Sequence, residues 1–194
     1  MLLQVRYEDG TGMSDQQLRD ECITLFLAGH ETTAIAMSWT WYVLSQHPEV
    51  EARLHEELDR VLAGRDATAA DVEQLDYTRR VLTESMRLFP PAFGFGRQAI
   101  RDTRLGPYEV RKGTVVVVSS ILMQNREALY TDAPRFDPDR WLPERCGDLH
   151  KFAYFPFGGG VRKCIGEGFA WMEGILLLAT LAHEIGRASC RERV

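Results

Sequence analysis

Residues 157–166 read Phe157-Gly-Gly-Gly-Val-Arg162-Lys-Cys164-Ile-Gly166, and no other part of the 194-residue chain is as informative. A lone cysteine follows a glycine run and an arginine, and a strongly apolar helical pattern follows the cysteine. The positive end of a helix, together with Arg162 and Lys163, favours the thiolate, which is the form of cysteine that ligates metals. The glycines allow the backbone to approach a flat ligand closely. By themselves these residues also fit a buried structural thiol beside an irregular loop.

The longer pattern Phe-x-x-Gly-x-Arg-x-Cys-x-Gly, continued by Ala170 and Glu173, resembles the haem-binding signature of the cytochrome P450 family, the haem-thiolate monooxygenases. The resemblance implies that haem b (iron protoporphyrin IX) is the cofactor and that the Cys164 thiolate is its axial iron ligand. It also implies that the cofactor-binding loop includes Phe157, Gly158 and Gly166.

Two arginines match family positions that pair with the haem propionates. One is Arg162 in the cysteine loop, and the other is Arg97, which follows Pro90-Pro91. Two cations that meet two carboxylates would fix the orientation of the porphyrin. Without the resemblance, Arg97 would be interpreted as an ordinary exposed arginine.

A long helix is predicted from the capping box Ser14-Asp-Gln-Gln17 to about Gln46, before His47-Pro48. From Leu25 to Leu44 it is apolar on nearly every side, so we expect it to pass through the interior of a large fold.

The apolar pattern of this helix is interrupted by Ala28-Gly-His-Glu-Thr-Thr33. An acid beside a hydroxyl can pass protons to a ligand, although threonines that bond back to their own helix explain the same residues. The resemblance implies the helix that crosses the distal face of the haem. Gly29 would leave room for O2, Thr32 would hydrogen-bond the oxygen ligand, and Glu31 would supply protons.

Glu84 and Arg87 lie one turn apart in a helix predicted from Tyr77 to Phe89. Arg80 shares their face, so spacing alone favours an exposed charged stripe. The resemblance implies instead that Glu84 and Arg87 join Arg140, from the segment Phe136-Asp-Pro-Asp-Arg-Trp141, in a buried triad that anchors the cysteine loop.

The remaining chain is expected to add helices, one hairpin and irregular segments. The predicted hairpin pairs Tyr108–Val110 with Thr114–Ser119 across Arg111-Lys-Gly113. One local departure from the family pattern is Gln124-Asn125, where many relatives carry His-Arg. The other predicted elements are a helix over 48–62, a short helix over 68–75, a mostly irregular segment over 120–156 and a last helix over about 165–182.

Composition excludes several functional classes. A net charge of −5 and a pI of about 5.6 argue against a nucleic-acid partner. Four scattered cysteines favour a reducing, cytoplasmic location over a disulfide scaffold. No uninterrupted apolar run is long enough for a membrane segment.

Both ends of the chain suggest a partial cytochrome P450 domain over 1–183. The helix-rich N-terminal half of the family and its final strands are expected to be missing, because the chain begins just before the central helix. Residues 184–194 resemble a translated sequencing adapter, so they are not expected to belong to the fold. The fold class is therefore mainly α with a small β element, corresponding to the C-terminal part of the cytochrome P450 fold.

The function implied by the resemblance is haem-dependent monooxygenation. One oxygen atom from O2 would enter a small apolar substrate, with electrons ultimately from NAD(P)H and delivered by a ferredoxin or flavoprotein reductase. Two alternatives remain open. The first is a haem-thiolate isomerase or peroxygenase, against which the intact Glu31-Thr32 pair counts, and the second is an inactive truncated fragment that does not bind haem by itself.

Overall fold

The computed structural model describes the backbone of residues 2–191 and the side chains of residues 2–185. Most of this part is helical, with four short strands, which confirms the expected fold class. The adapter-like segment over 184–194 lies mostly outside the described side chains, so its origin stays a prediction. The helices are α1 (Asp15–Leu44), α2 (Pro48–Leu62), α3 (Asp76–Leu88), α4 (Ser120–Gln124), α5 (Pro143–Cys146) and α6 (Glu167–Arg191), and the strands are β1 (Gly94–Gln98), β2 (Thr103–Leu105), β3 (Tyr108–Val110) and β4 (Val115–Ser119).

Helix α1 begins at the predicted capping box. The Gln17 N–H donates to Ser14 Oγ over 3.2 Å, and the Ser14 N–H donates to Gln17 Oε1 over 2.9 Å. The prediction that α1 is interior from Leu25 onward is wrong for its first half, where Phe26 is 67% exposed. Its buried residues begin only at Ala36, because only the second half of α1 packs closely against other described helices.

The main core lies between α1, α2, α3 and α6. Helix α2 contributes leucines at helical spacing that are fully buried, and α6 crosses them with Ile175 and Leu178. Burying each such side chain contributes about 1.5–3 kcal/mol. The start of α3 is held by Glu57 of α2, whose carboxylate accepts hydrogen bonds from the Tyr77 and Thr78 N–H groups. The α2 leucines are Leu54, Leu58 and Leu62.

The strands do not pair as the sequence pattern suggested. Strand β4 pairs antiparallel with β1, and β3 pairs with β2, so the predicted hairpin between β3 and β4 is wrong. Gly106, with φ of +59°, and Pro107 form a two-residue turn that joins β2 to β3. The Arg111-Lys-Gly113 turn also forms, with the Thr114 N–H donating to the Arg111 carbonyl over 3.1 Å, but the strands on its two sides pair with β2 and β1 instead of with each other.

Two further boundaries differ from expectation. The predicted short helix over 68–75 is reduced to a 3-10 turn at Ala69–Asp71. The last helix, predicted over about 165–182, runs from Glu167 to Arg191, so its backbone continues past the predicted end. Within the described residues, Glu167–Ile185 is the one segment whose length and composition would allow it to cross a membrane, a test that core helices of soluble proteins also pass. Four residues of this segment, Ile175, Leu178, Ala179 and Ala182, are fully buried in the main core.

Candidate functional site

The loop that carries Cys164 is built from backbone hydrogen bonds and left-handed glycines. The Gly158 N–H donates to the Phe155 carbonyl over 2.9 Å, and the Cys164 N–H donates to the Phe157 carbonyl over 2.9 Å. Gly158 and Gly160 have φ of +73° and +71°, a conformation that side-chain-bearing residues rarely adopt. The loop therefore requires glycine at these two positions.

The sequence pattern suggested that the last helix begins directly at Cys164, but it begins later, at Glu167. Cys164 follows a 3-10 turn at Gly160–Arg162 and precedes the first residue of α6 by three positions. Its thiol is free and exposed, and Lys163 beside it pairs with Glu167 of α6. The helix N-terminus therefore lies near the thiol but does not include it.

The surroundings of Cys164 fit a flat, largely apolar group that offers a metal to the sulfur. Val161 and Ile165, on either side of the thiol, are 102% and 88% exposed, so their apolar side chains are free to contact such a group. A Cβ on Gly160 would meet no atom within 4 Å, which leaves open space over the loop. A soft thiolate donor with a glycine cradle and an apolar rim is the chemistry that haem requires.

The two arginines expected to bind propionates are both exposed. Arg97, on β1, donates to the Gly96 carbonyl over 2.8 Å, and its guanidinium lies 5.0 Å from the Phe95 ring centre. Arg162 lies in the 3-10 turn of the cysteine loop. Within residues 2–185 neither forms an ion pair, so both are available to an anionic ligand.

The polar residues of α1 lie near its middle, just before its buried residues begin at Ala36. Thr32 Oγ1 donates to the Ala28 carbonyl over 2.7 Å, as threonines in helices commonly do, and Glu31 is exposed. A Cβ on Gly29 would meet nothing within 4 Å. Thr33 Oγ1 lies 3.2 Å from Glu173 Oε2, and this hydrogen bond ties α1 to α6.

Glu84, Arg87 and Arg140 lie together in the protein interior. Arg87 Nε and Nη2 donate to the two Glu84 oxygens over 2.9 and 2.8 Å, and Arg140 Nε donates to Glu84 Oε1 over 3.1 Å. Glu84 and Arg87 are fully buried. The prediction of an exposed stripe from spacing alone is therefore wrong, and Arg80 turns away to bind Asp139 over 2.6 Å.

Two further donors to Glu84 were missed by the sequence analysis. The Trp141 indole N–H donates to Glu84 Oε2 over 2.9 Å, and the Asp137 N–H donates to Glu84 Oε1 over 3.1 Å. A buried carboxylate needs such additional donors because ion pairing alone seldom offsets its desolvation. The Trp141 ring also lies 4.7 Å from the Tyr154 ring, so it links this cluster to the segment that leads into the cysteine loop.

Tyr130 packs against the same cluster. The Arg87 guanidinium lies 5.0 Å from its ring centre, and that of Arg140 lies 5.8 Å away. Burial raises the pKa of the Tyr130 phenol to about 12, despite the opposing effect of Arg87. Nearby, the hydrogen bond from Arg53 lowers the pKa of Asp139 below its ordinary value.

Comparison with known proteins gives consistent matches. The family model described as Cytochrome P450 matches residues 1–184. "Cyclooctatin synthase" of Streptomyces melanosporofaciens is 47% identical over 175 residues, which are 90% of this chain and 38% of the relative. "Pentalenene oxygenase" of Streptomyces avermitilis is 44% identical over 183 residues, which are 94% of this chain and 41% of the relative. The chain thus spans about two-fifths of the length of these curated relatives.

A solved structure shows the same fold. The crystal structure of the cytochrome P450DA heme domain superposes with a TM-score of 0.86 at 36% identity, covering 93% of this chain and 41% of that one. The helices, strand pairs and cysteine loop described above therefore correspond to part of that heme domain.

Proposed function

Because the chain belongs to the cytochrome P450 family, we propose that it forms the haem-binding part of a monooxygenase that inserts one oxygen atom from O2 into a small apolar substrate. The observation that carries the proposal is the free, exposed Cys164 thiol in a loop that two left-handed glycines shape. When bound, haem b would supply the activation of O2, with electrons ultimately from NAD(P)H.

The residues of this chain would hold the cofactor from its proximal side. Cys164 would ligate the iron through its thiolate, and Gly158, Gly160 and Gly166 add no side chains of their own to the loop. Arg162 and Arg97 would each donate to a propionate, since both guanidinium groups are exposed without an acidic partner in the described part of the chain. Phe157 links the loop to α6, because its ring centre lies 5.7 Å from that of Trp171.

Residues of α1 would transfer protons and leave room for a ligand on the other face of the cofactor. Thr32 Oγ1 already donates its hydrogen to Ala28, so toward a ligand it acts as a hydrogen-bond acceptor. Glu31 is exposed and can exchange protons with water. The open space around Gly29 would admit a diatomic ligand without displacing another atom.

Substrate and partner classes follow from the same proposal. The first half of α1 carries exposed Leu25, Phe26 and Leu27, which favours an apolar substrate, and one relative is named for oxygenating pentalenene. A small redox protein of ferredoxin or flavoprotein reductase type would deliver the electrons. The four scattered cysteines favour a reducing, cytoplasmic location.

A second candidate is that the 194-residue chain, by itself, does not retain haem. Large apolar side chains on α1 and α6 are exposed, including Phe26 and Phe169, and such surfaces favour association over specific ligand binding.

Haem titration tests both candidates. Haem is added to the purified chain, which is then reduced and exposed to carbon monoxide, and the Soret band is recorded. We expect the red-shifted band of thiolate ligation in the wild-type chain and in Cys22→Ser, and its loss in Cys164→Ser. A red-shifted band that survives Cys164→Ser would refute the ligand assignment, and no haem uptake by the wild-type chain would establish the second candidate.

A further inference from the structure

Gln124, at the end of α4, is a fully buried amide that connects α3 to the segment leading into the cysteine loop. Its Nε2 donates to the Met86 and Arg87 carbonyls over 3.1 and 3.2 Å. Its Oε1 accepts a hydrogen bond from the Phe155 N–H over 2.9 Å. One side chain thus joins a segment 37 to 38 residues before it with one 31 residues after it.

The orientation of this amide is fixed by its partners. Two carbonyl oxygens face one end and one N–H faces the other, so exchanging Nε2 and Oε1 would place an oxygen against two oxygens. The main-chain carbonyl of Gln124 is also hydrogen-bonded, since it accepts from Arg87 Nη1 over 2.9 Å. A neutral histidine, with one ring donor and one ring acceptor, could not satisfy the same three partners as completely.

From Phe155, backbone hydrogen bonds continue to the cysteine. The Phe155 carbonyl accepts from the Gly158 N–H, and the Phe157 carbonyl accepts from the Cys164 N–H, each over 2.9 Å. Gln124 therefore holds the first residue of this series. On the other side, Gln124 is hydrogen-bonded to Arg87, and Arg87 binds Glu84. Gln124 therefore connects the buried ion pairs to the segment that carries the thiol.

We propose that Gln124 is a positioning residue that sets the Cys164 loop relative to the buried Glu84–Arg87 pair. Its functional meaning rests on the proposed function, since the loop matters for catalysis only if Cys164 ligates haem. The competing interpretation is that Gln124 merely satisfies the last carbonyls of α3. Asn125 does only that, because its Nδ2 reaches the Arg87 and Leu88 carbonyls and that of Ile121 in its own helix, and Phe155 is not among its partners.

Two substitutions separate the donor and acceptor roles of the amide. Gln124→Met keeps the approximate volume and removes every side-chain hydrogen bond. Gln124→Glu keeps an oxygen for the Phe155 N–H and, because a buried carboxyl that faces two carbonyl oxygens stays protonated, replaces two N–H donors to α3 with one O–H donor. Asn125→Ala is the matched control, because it removes amide hydrogen bonds to α3 without touching the loop.

The first measurement is amide hydrogen exchange of the full chain without haem, resolved by residue. We expect Gln124→Met to speed exchange at Phe155, Gly158 and Cys164 about tenfold relative to core amides of α2, as loss of one hydrogen bond implies. Gln124→Glu and Asn125→Ala should change these ratios less than about threefold. Normalising to α2 removes any general loss of stability, and Gln124→Glu remains a test even if Gln124→Met does not fold.

The proposal is overturned if Gln124→Met leaves Cys164 protection unchanged, or if Gln124→Glu or Asn125→Ala speeds exchange in the loop tenfold. In chains loaded with haem, the share of the red-shifted carbon monoxide band should fall in Gln124→Met and be retained in Gln124→Glu. Because exchange needs no cofactor, failure of haem binding refutes the proposed function and leaves the role of Gln124 to be judged by exchange.

Discussion

Glu84→Ala should be among the most destabilising single changes in the chain. It removes a fully buried carboxylate and leaves Arg87, also fully buried, with no acidic partner among the described residues and with two backbone carbonyls and the Tyr130 ring as its remaining contacts. Arg140 loses its acidic partner as well. Stranding a buried charge in this way costs about 3–5 kcal/mol of unfolding free energy, which is a large share of the roughly 5–15 kcal/mol that domains possess.

Asp76→Ala is the matched control, because Asp76 is also an acid on α3 that pairs with an arginine. Its carboxylate lies 3.0 Å from Arg80 but is 70% exposed, and Arg80 keeps Asp139 as a second partner. An exposed pair of this kind contributes at most about 1 kcal/mol. The two variants therefore differ chiefly in burial.

Urea unfolding followed by circular dichroism measures the loss of unfolding free energy in both variants. The comparison requires that the dependence of this free energy on urea concentration be the same in each protein. Glu84→Gln adds a test of charge, since it keeps the volume but places an amide N–H2 among groups that are all donors. We expect it to lose nearly as much as Glu84→Ala. If Glu84→Ala and Asp76→Ala lose equal amounts, the buried ion pairs do not stabilise the fold as argued.

Gly29→Ala should raise the free energy of unfolding by about 1 kcal/mol, since α1 gains helix propensity and the new methyl meets no atom within 4 Å. The haem-loaded variant should bind carbon monoxide more weakly than the wild-type chain. An unchanged affinity for carbon monoxide would contradict the proposed oxygen site. Tyr130→Phe should leave stability at pH 7 unchanged or slightly raised, because the buried Tyr130 hydroxyl has no hydrogen-bond partner among the described residues. Burial raises the pKa of that phenol from 10.0 to about 12, so the unfolded chain ionises first and stability falls as pH rises from about 10 to 12. Urea titrations at pH 8 and 11 should show a smaller alkaline loss in Tyr130→Phe, and an equal loss in both proteins would contradict this cause.

The helices could be predicted because their signals are local. The capping box at Ser14 and the leucines of α2 at helical spacing gave bounds within about two residues. The pairing of β3 could not be predicted in the same way. The local pattern indicated a turn at Arg111-Lys-Gly113, and this turn forms, but β3 and β4 do not pair across it because β4 pairs with the distant β1.

The interior ion pairs show what spacing leaves undetermined. Arg80, Glu84 and Arg87 share a helix face, yet Arg80 reaches Asp139 while the other two are buried. Their burial depends on Arg140 and Trp141, more than fifty residues away. Family resemblance pointed to Arg140 and marked Gln124 only as a departure from the usual pattern, but the contacts of Trp141 and Gln124 arise when segments distant in the chain meet and could not be predicted.

The contribution of α6 to the core has a consequence for synthesis on the ribosome. Helices α2 and α3 are complete at Leu88, but Ile175, Leu178 and Ala182, which pack against them, are translated much later. At about 5–20 residues per second, the interval is roughly 5–20 s. During that time the leucines of α2 that α6 will cover remain accessible to chaperones, and the core closes only after the cysteine loop has been translated.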